Sequence, residues 1–335
     1  MYNETNGNCI VSFSGGKDST VLLALVKMCQ DICTVGDIKA VFSDTGIEMG
    51  VTREFVKWCK DNWYSNIETI RPKVSFDWVI KTYGKPMKSK LKSELINRWQ
   101  SGNIDDYVRD MLLKGTLRNG KYSSRIKLAD QDLHILHKDF DIKVSNKCCD
   151  YLKKKPFEDY AKDNGIKGQI IGLRNAEHGI RELNAKRRVA SGGKLCTYTK
   201  DGMIYKAPII DWSNEDVETF IKEHDVPLSK AYTDYGFERT GCMACPYSFD
   251  VEQNLKYLHD YEQNRYKAIM HWLKDVYIAQ RVELPFDEEY ESERKEKWKT
   301  YEPMKQEMLK RYRPKSKFIT IDYKPNIYIF KKGKK

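Results

Sequence analysis

A short segment near the start of the chain, SFSGGKDST at residues 12–20, combines residue types that bind phosphate groups. Gly15 and Gly16 carry no side chain, so backbone N–H groups there can approach an anion closely. Lys17 supplies a mobile cation, and Asp18 could hold Mg²⁺ or orient the loop. Hydroxyl groups that can donate hydrogen bonds to phosphate oxygens come from Ser14, Ser19 and Thr20. The segment therefore predicts a loop that binds phosphates.

The spacing of this loop differs from that of a Walker A loop. A Walker A sequence has four residues between its first glycine and a later Gly-Lys pair, whereas two adjacent glycines directly precede Lys17 here. The helix pattern that follows adds the positive potential of a helix N-terminus. A plain glycine-rich turn is the alternative. We predict that Lys17 and Asp18 act on the phosphates of a bound nucleotide.

Four cysteines form a second candidate site. Cys148 and Cys149 are adjacent, while Cys242 and Cys245 form a C-x-x-C pair. Four thiolates from two separated segments are the usual ligands of a [4Fe-4S] cluster. Zinc is the competing metal, although its four-cysteine sites usually use two C-x-x-C pairs. Buried cysteines without a metal are a further alternative. We predict the iron–sulfur cluster.

Other cysteines and histidines have weaker patterns. Cys196 lies in a basic, glycine-containing segment that could lower a thiol pKa, so it is a candidate nucleophile. His134 and His137 form H-x-x-H without a second pair at ligand spacing, so we expect core or surface histidines. The remaining cysteines are expected to be small buried hydrophobic residues: Cys9, Cys29, Cys33 and Cys59.

Alternating strand and helix patterns surround the phosphate loop. Strands are predicted at residues 9–13, 38–44 and 67–72, with helices at 19–28 and 52–62 between them. This alternation predicts an α/β fold, a parallel sheet with helices on both faces. Ligands bind at the carboxyl ends of the strands in such sheets. The phosphate loop and Asp44 both lie there.

The rest of the chain divides by composition. We predict a nucleotide-binding domain from residues 1–83 and 146–250, in which the α/β pattern resumes at 168–174. Ser213 and Asp216 predict the capped start of a further helix. Residues 84–145 are expected to form a helical insertion. Residues 251–335 are expected to form a basic helical region, with helices at 252–279 and 287–311 and a closing β-hairpin at 318–330.

The net charge of +11 is concentrated near the end of the sequence. Residues 294–335 contain 15 Lys and Arg against four Asp and Glu. This excess could attract nucleic acid, and a solvated helix with a soluble tail is the alternative. Neither a run of 18 apolar residues nor a secretory signal pattern occurs, so we expect a cytoplasmic protein with reduced thiols and no membrane contact.

Several motifs together resemble the PP-loop adenine-nucleotide hydrolases, and most of all the adenylylsulfate and phosphoadenylylsulfate reductases. SGGKDS resembles the phosphate loop, SDTGIE at 43–48 the second-strand motif, and GLRNAEHGIR at 172–181 the arginine motif. The segment at 207–221 matches in character, and the cysteine pairs with Lys155 and Pro156 resemble the cluster motif of the adenylylsulfate reductases. The likeness extends over about residues 8 to 250.

This resemblance implies an adenine-nucleotide alpha-hydrolase-like fold and further site residues. Asp44, Thr45 and Gly46 would lie beside the nucleotide, which is ATP or an adenylyl sulfate. Arg174 and Arg181 would face its anionic end, and Arg174 would take part in catalysis. A planar guanidinium suits phosphate or sulfate oxygens, whereas the residues alone, without the resemblance, would favour surface salt bridges for both arginines.

One departure from the family pattern bears on function. The thiol-dependent reductases use a nucleophilic cysteine in a C-terminal tail, and this sequence has no cysteine after Cys245. We therefore expect an enzyme of sulfur metabolism that uses ATP or a related nucleotide and its cluster in sulfur transfer. Some tRNA thiolation enzymes and the DNA phosphorothioation sulfurtransferase resemble it in this pairing, so a nucleic-acid acceptor is plausible.

Two alternatives stay open. The first is a reductase of adenylyl sulfates whose nucleophile comes from Cys196 or from a partner protein. The second is a non-catalytic module that binds a nucleotide or nucleic acid. A protein that donates sulfur or electrons would be an expected partner of an enzyme, and a homo-oligomer is also compatible with the sequence.

Overall fold

The computed structural model describes residues 1–33, 36–177 and 194–313. A six-stranded sheet lies at the centre of the α/β part, in the order β3-β2-β1-β4-β6-β5. Its strands are β1 (Cys9–Ser12), β2 (Lys39–Ser43), β3 (Ile67–Ile70), β4 (Gly168–Ile170), β5 (Thr197–Lys200) and β6 (Met203–Lys206). Every neighbouring pair is parallel except β5 and β6, which form an antiparallel hairpin at one edge. The predicted parallel sheet is confirmed, and the edge hairpin was not predicted.

Helices cover both faces of this sheet, as predicted. On one face, α1 (Lys17–Ile32) and α2 (Gly50–Asn62) pack their apolar side chains against Val11 and Phe42. On the other face, α7 (Lys155–Asp163) places Tyr160 against apolar residues of β1 and β2. The central strands are buried on both faces because their sequences are continuous apolar runs.

A large helical part packs beside the sheet. It contains α3 (Phe76–Tyr83), α4 (Lys90–Gln100), α5 (Asp106–Lys114), α10 (Val251–Tyr261), α11 (Gln263–Gln280) and α12 (Glu288–Tyr312). One continuous core joins the predicted insertion to the predicted C-terminal region, with Leu112 and Leu133 on one side and Tyr277 and Tyr301 on the other. Within the described ranges, no helix is both long and apolar enough to cross a bilayer.

The predicted helix at 252–279 is two helices, because the chain bends at Glu262. The Glu262 carboxylate accepts hydrogen bonds from the backbone N–H of Gly50 at 2.9 Å and from the Tyr257 hydroxyl at 2.9 Å. Gly50 is the first residue of α2, so Glu262 supplies an acceptor to the N-terminus of a helix in the α/β part. The predicted hairpin at 318–330 lies outside the described residues.

Three further α-helices of the described residues lie near the sheet. A nearly continuous helix begins with α6 (Lys147–Cys149), continues as a π-helix (Asp150–Lys154) and ends as α7. The other two are α8 (Asn214–Glu223) and α9 (Lys230–Thr233). The predicted start of α8 is confirmed, because Ser213 and Asp216 form a capping box in which each side chain bonds the backbone N–H of the other residue.

The structure separates the remaining cysteines and histidines. Cys9 and Cys59 are buried as expected, whereas Cys29 and Cys33 are exposed near the end of α1, so that expectation was wrong for these two. They lie after Val26, the last buried residue of α1, so their side of the helix faces solvent. His134 is fully buried, with Nε2 3.1 Å from the Ala279 carbonyl oxygen, which agrees with the expectation of a core histidine.

The buried His134 predicts a pH dependence of stability. Burial lowers the pKa of His134 to about 3, whereas an unfolded histidine titrates near 6.5. Below about pH 6.5 the unfolded chain binds the proton first, so this contribution to stability is complete above that pH and is lost as pH falls. We expect the free energy of unfolding to fall by up to about 1.4 kcal/mol per pH unit from this group.

The measurement is urea unfolding between pH 7.5 and 5. His134→Gln should be less stable at pH 7.5 but should show a smaller decrease towards pH 5 than the wild type. His271→Gln, at an exposed position of α11, is the matched control and should keep the wild-type slope. Equal slopes for the wild type and His134→Gln would contradict the assignment.

Candidate nucleotide and four-cysteine site

The phosphate loop connects β1 to α1 at the carboxyl end of the sheet. Gly15 has φ +70°, a conformation that L side chains rarely adopt. A Cβ atom at Gly15 would lie 3.0 Å from Val56 Cγ2 and 3.2 Å from Thr52 Cγ2, so α2 packs directly against the loop. Glycine is required there both by the backbone conformation and by this close approach.

Hydroxyl groups hold the shape of the loop. The backbone N–H of Ser14 donates to Ser19 Oγ at 3.1 Å, and Ser19 Oγ donates to the Gly16 carbonyl oxygen at 2.8 Å. Thr20 is fully buried, and its hydroxyl donates to the same carbonyl at 3.0 Å. These hydroxyls bind the backbone of the loop. Their predicted contacts with phosphate stay predictions.

The N-terminus of α1 points its first amides out of the helix. The Thr20 N–H, which donates to the Gly16 carbonyl oxygen at 3.0 Å, makes the first bond of the helix, so the amides of residues 17–19 have no acceptor within α1. The Lys17 N–H donates to the Tyr232 hydroxyl at 2.9 Å. The Lys17 ammonium lies 3.8 Å from Glu218 Oε1, and both side chains are partly exposed. Such a loose pair leaves the ammonium able to move onto an anion.

Arg174 lies beneath the loop. It is 6% exposed, and its Nε donates to Asp18 Oδ1 at 2.8 Å. Its Nη1 donates to Asn214 Oδ1 at 2.9 Å and to the Trp212 carbonyl oxygen at 3.4 Å. Arg174 therefore joins the end of β4 to the starts of α1 and α8. The structure brings Arg174 and Asp18 together, while Arg181 lies outside the described residues.

Gly172 allows this arrangement. A Cβ atom at Gly172 would lie 3.2 Å from the Asp18 carbonyl carbon and 3.3 Å from Ser19 Cα, so a side chain would meet backbone atoms of α1. The strand ends at Ile170, before the predicted residue 174, because the chain turns there to pass under the helix start. The absence of a side chain at Gly172 lets Arg174 reach Asp18.

The segment after β2 forms the neighbouring edge of the site. Asp44 is buried, and its Oδ1 accepts from Arg53 Nη2 at 2.7 Å and from the Gly46 N–H at 3.2 Å. The Thr45 hydroxyl donates to Glu48 Oε1 at 2.9 Å. A Cβ atom at Gly46 would have no described neighbour within 4 Å, so the backbone there is open. The predicted residues at 44–46 thus share an edge with the phosphate loop.

The four predicted cysteine ligands line one cavity. The cavity has apolar walls from Ile47, Phe76, Leu152, Ile269 and Leu273, with Lys153 at its edge. Cys148 and Cys149 are the last residues of α6, and a π-helix follows them. Within this π-helix, the Leu152 carbonyl oxygen accepts a hydrogen bond from the Ser43 hydroxyl at 3.2 Å. This contact fixes the cysteine pair to the end of β2.

The C-x-x-C segment is fixed to the same place by its backbone. Cys242 pairs with Glu48 in an antiparallel bridge, and the Met243 N–H donates to the Ile47 carbonyl oxygen at 2.8 Å. The Tyr277 hydroxyl donates to the Ala244 carbonyl oxygen at 2.5 Å. Both cysteine pairs therefore contact the segment that also carries the predicted nucleotide residues.

The electrostatics of the thiols are uneven. A hydrogen bond from Cys148 lowers the pKa of Cys149, and Lys90 and Lys153 contribute in the same direction. Burial raises the pKa of Cys242 to about 12 and that of Cys245 to about 11. Ligand formation must therefore remove protons from buried thiols, and the nearby lysines offset that cost.

Four thiols in an apolar cavity beside a lysine fit the donor set of an iron–sulfur cluster. Among the described residues, however, no three His, Cys, Asp or Glu side chains are arranged closely enough to hold a metal ion. The cluster consequently stays a prediction. Cys196 is exposed beside the start of β5 and is not part of this cavity.

Tyr232 and Thr240 belong to the site although no sequence pattern identified them. The Tyr232 hydroxyl, which accepts from the Lys17 N–H, also lies 3.1 Å from Thr240 Oγ1. Thr240 is two residues before Cys242, and that position is its only sequence signal. Tyr232 has no such signal, because its contact with Lys17 joins residues 215 positions apart.

The family model of the phosphoadenosine phosphosulfate reductase domain matches residues 8–118 and 104–248, well over half of the chain. The chain belongs to this family. Together with the sheet, the match confirms the predicted adenine-nucleotide alpha-hydrolase-like fold. The helices α10 to α12, which begin at Val251, follow the matched residues.

The matches to curated relatives cover only part of the length of each protein. An uncharacterized protein of Methanocaldococcus jannaschii is 26% identical over 245 residues, 72% of this chain and 42% of that protein. The adenosine 5'-phosphosulfate reductase of Streptomyces coelicolor is 34% identical over 98 residues, 29% of this chain and 37% of that enzyme. The matches therefore span about two fifths of the length of these relatives.

Two solved structures are distantly similar. A phosphoadenylyl-sulfate reductase from Candida auris, in complex with phosphate, has 15% identity and a TM-score of 0.40, over 70% of this chain and 81% of that one. The U34-tRNA thiolase NcsA from Methanococcus maripaludis, with its [4Fe-4S] cluster, has 13% identity and a TM-score of 0.36, over 80% of this chain and 71% of that one. Scores this low assign no function.

The Arg174–Asp18 pair predicts strong coupling between two residues of the family domain. Arg174→Met keeps most of the side-chain volume but leaves the Asp18 carboxylate without its cation, so we expect a loss of about 3 kcal/mol of stability. Asp18→Asn should also destabilise the protein. The double variant should lose less free energy of unfolding than the two single variants do together, by at least about 1 kcal/mol, as measured by urea unfolding. Additive losses would contradict the pairing.

Proposed function

We propose that this protein is an enzyme of sulfur metabolism that binds ATP or another adenylyl nucleotide at residues 14–20. In this proposal it carries a [4Fe-4S] cluster on its four clustered cysteines and acts in the cytoplasm. The observation that carries the proposal is the segment 240–245. Thr240, at the start of this segment, contacts the Tyr232 hydroxyl, which accepts the Lys17 N–H. Cys242, in the same segment, pairs with Glu48. The phosphate loop and the cysteine cavity are therefore neighbours in one site.

The loop has the groups needed to stabilise a departing diphosphate. In the proposed step, an oxygen of the acceptor attacks the α-phosphorus of ATP, the bond to the bridging oxygen breaks, and pyrophosphate leaves. Lys17 and the amides at the start of α1 offset the charge that develops on the leaving group. Of the two roles predicted for Asp18, we assign it the orienting role, because Arg174 already holds one of its oxygens. Mg²⁺ would then accompany the nucleotide phosphates.

The four cysteines would hold the cluster at the carboxyl end of β2. When bound, such a cluster supplies one-electron chemistry and a rigid link between the two cysteine segments. The negative charge of a deprotonated Cys242, as in a metal ligand, raises the pKa of Lys153, so a cation lies beside the donor sulfurs. Adenylation at the loop and sulfur transfer beside it would thus use adjacent parts of one site.

A nucleic acid is the proposed acceptor, supported by charge alone. Many of the basic side chains of α12 are paired with carboxylates, as in Lys297 with Asp141 and Lys305 with Glu302. The unbalanced charge lies mainly in residues 314–335, which contain seven Lys and Arg against one acidic residue. Any contribution of the basic region to nucleic-acid binding would therefore come chiefly from this last segment.

A second candidate is reduction of an adenylyl sulfate, and the position of Cys196 favours it. Cys196 is exposed, and its carbonyl oxygen accepts from the Ala207 N–H at 2.8 Å, at the carboxyl end of β6. This is the same edge of the parallel sheet as the phosphate loop. In that reaction the Cys196 thiolate would attack the sulfate sulfur, AMP or adenosine bisphosphate would leave, and a thiol reductant would release sulfite.

The nucleotide proposal predicts a specific effect of Lys17. Calorimetry should detect ATP binding to the wild type, and Lys17→Ala should weaken it about 10- to 100-fold because a charged hydrogen bond to phosphate is lost. Lys27→Ala, further along α1 and near the Trp63 ring, is the matched control and should bind ATP normally.

Reaction products separate the candidate functions. With labelled nucleotides and anaerobic protein, pyrophosphate from ATP supports the first proposal. Sulfite from an adenylyl sulfate, lost in Cys196→Ala, would support the second candidate instead. Nucleotide or nucleic-acid binding without turnover of either nucleotide would favour a binding module. Wild-type protein that binds neither ATP nor an adenylyl sulfate would reject the nucleotide site itself.

The cluster proposal predicts a metal content. Protein purified without oxygen should be brown and contain about four iron and four sulfide per chain. Cys149→Ala should lose most of the iron and the visible absorbance, whereas Cys33→Ala, at an exposed position, should keep both. A stoichiometric zinc content in the wild type, or iron unchanged in Cys149→Ala, would contradict the assignment.

A further inference from the structure

The Tyr232 hydroxyl occupies a position at the start of α1 that a phosphate oxygen would need. It accepts the Lys17 N–H at 2.9 Å, and this amide is among those with no acceptor inside the helix. A Cβ atom at Gly16 would lie 2.9 Å from Thr240 Oγ1 and 3.4 Å from the Tyr232 oxygen. Both hydroxyls therefore lie directly over the glycine of the loop.

The Tyr232 hydroxyl joins the loop to Thr240. Its oxygen accepts the Lys17 N–H at 2.9 Å and lies 3.1 Å from Thr240 Oγ1, and either hydroxyl can donate in that second hydrogen bond. Burial raises the pKa of Tyr232, so the phenol keeps its hydrogen at neutral pH. The hydrogen-bonded chain runs from the loop amide through Tyr232 to Thr240.

A phosphate and Tyr232 compete for the same amide. One N–H makes one strong hydrogen bond, and a charged phosphate oxygen is a stronger acceptor than a phenol oxygen. A phosphate bound at the start of α1 would therefore take the Lys17 N–H and release the Tyr232 hydroxyl. The Tyr232 and Thr240 hydroxyls would then rearrange together, because each is the partner of the other.

The segment after Thr240 connects this change to the cysteines. Only Gly241 separates Thr240 from Cys242, and Cys242 is held by its bridge to Glu48. A change in the position of Thr240 is thus transmitted over two residues to the backbone of the C-x-x-C pair. If the contact between Lys17 and Tyr232 served packing alone, a change at the Lys17 amide would not reach the cysteine segment.

We propose that Tyr232 is a positioning residue that links nucleotide binding to the four-cysteine site: a phosphate replaces its hydroxyl on the Lys17 amide, and the Tyr232–Thr240 pair transmits the change to Cys242. This inference rests on the nucleotide site proposed above. It adds a direction of coupling, since the nucleotide acts on the cysteine segment through two hydroxyl groups.

Hydrogen–deuterium exchange of the purified full-length protein, with and without saturating ATP, tests this link. In the wild type, ATP should change exchange both in peptides over residues 14–20 and in peptides over residues 239–245. In Tyr232→Phe and Thr240→Val, the change at 14–20 should remain while the change at 239–245 is lost. Tyr235→Phe, whose ring packs on Tyr257 and Tyr261, is the matched control and should respond as the wild type does.

Calorimetry adds a readout that a purely structural role would not give. Because Tyr232→Phe removes a competitor for the Lys17 amide, it should bind ATP about fivefold more tightly, the equivalent of one ordinary hydrogen bond. Thr240→Val should bind ATP with nearly wild-type affinity. Weaker binding by Tyr232→Phe would overturn the inference, because Tyr232 would then act as a ligand of the nucleotide.

The remaining outcomes are also decisive. A wild-type response at 14–20 without one at 239–245, or a full response in both variants, would overturn the link but leave the nucleotide site standing. The absence of any response to ATP at 14–20 would overturn the nucleotide site and this inference with it. Thermal unfolding identifies a variant that fails to fold, and the other hydroxyl variant then carries the test.

Discussion

The start of α1 sets the constraint on which the rest of the site depends. Three backbone amides there have no acceptor within the helix, and they point to the carboxyl edge of the central strand. The glycines allow α2 and the Tyr232–Thr240 pair to pack closely around these amides. The buried Arg174–Asp18 pair keeps the first turn of the helix in position. Of these amides, that of Lys17 is bound by the Tyr232 hydroxyl, and the other neighbours hold the loop and the first turn of the helix around them.

The same constraint explains why the two cysteine segments meet where they do. The cysteine pair follows the insertion and the C-x-x-C pair lies about ninety residues later, so bringing them together closes a long loop. Contacts with Ser43, Ile47 and Glu48 at the end of β2 hold both segments. The sheet edge that carries the predicted nucleotide residues thus also aligns the thiols. A metal cluster would bind thiols that the backbone contacts of the two segments already bring together.

Local patterns predicted those elements whose stability is local. Strands β1 and β2 are mostly apolar runs, β3 has an isoleucine at each end, and the start of α8 is fixed by a capping box within four residues. The phosphate loop and the two cysteine pairs were predicted because their spacing is tied to a known chemistry, and their ligands stay predictions. The structure brings the four cysteines to one cavity.

Features that depend on distant partners could not be predicted in this way. The bend at Glu262 follows from its bonds to Gly50, in a helix more than two hundred residues earlier. The hairpin of β5 and β6 is an exception: Asp201 and Gly202 both have positive φ and form the two-residue turn typical of hairpins, so its signal was local and was missed. Tyr232, like Glu262, gives no signal because its partner Lys17 lies 215 positions away in the sequence. Sequence patterns report one segment at a time, and these residues act between segments.

The helices that follow the matched family domain are part of the site. Ile269 and Leu273 of α11 form a wall of the cysteine cavity, and the Tyr277 hydroxyl holds the Ala244 carbonyl oxygen between the two cysteines. Glu262 provides an acceptor to the first amide of α2, the helix that packs on the phosphate loop. Removing these helices would expose the thiols and free the start of α2 at once. The C-terminal region therefore stabilises both halves of the site, independently of any contribution from its charge.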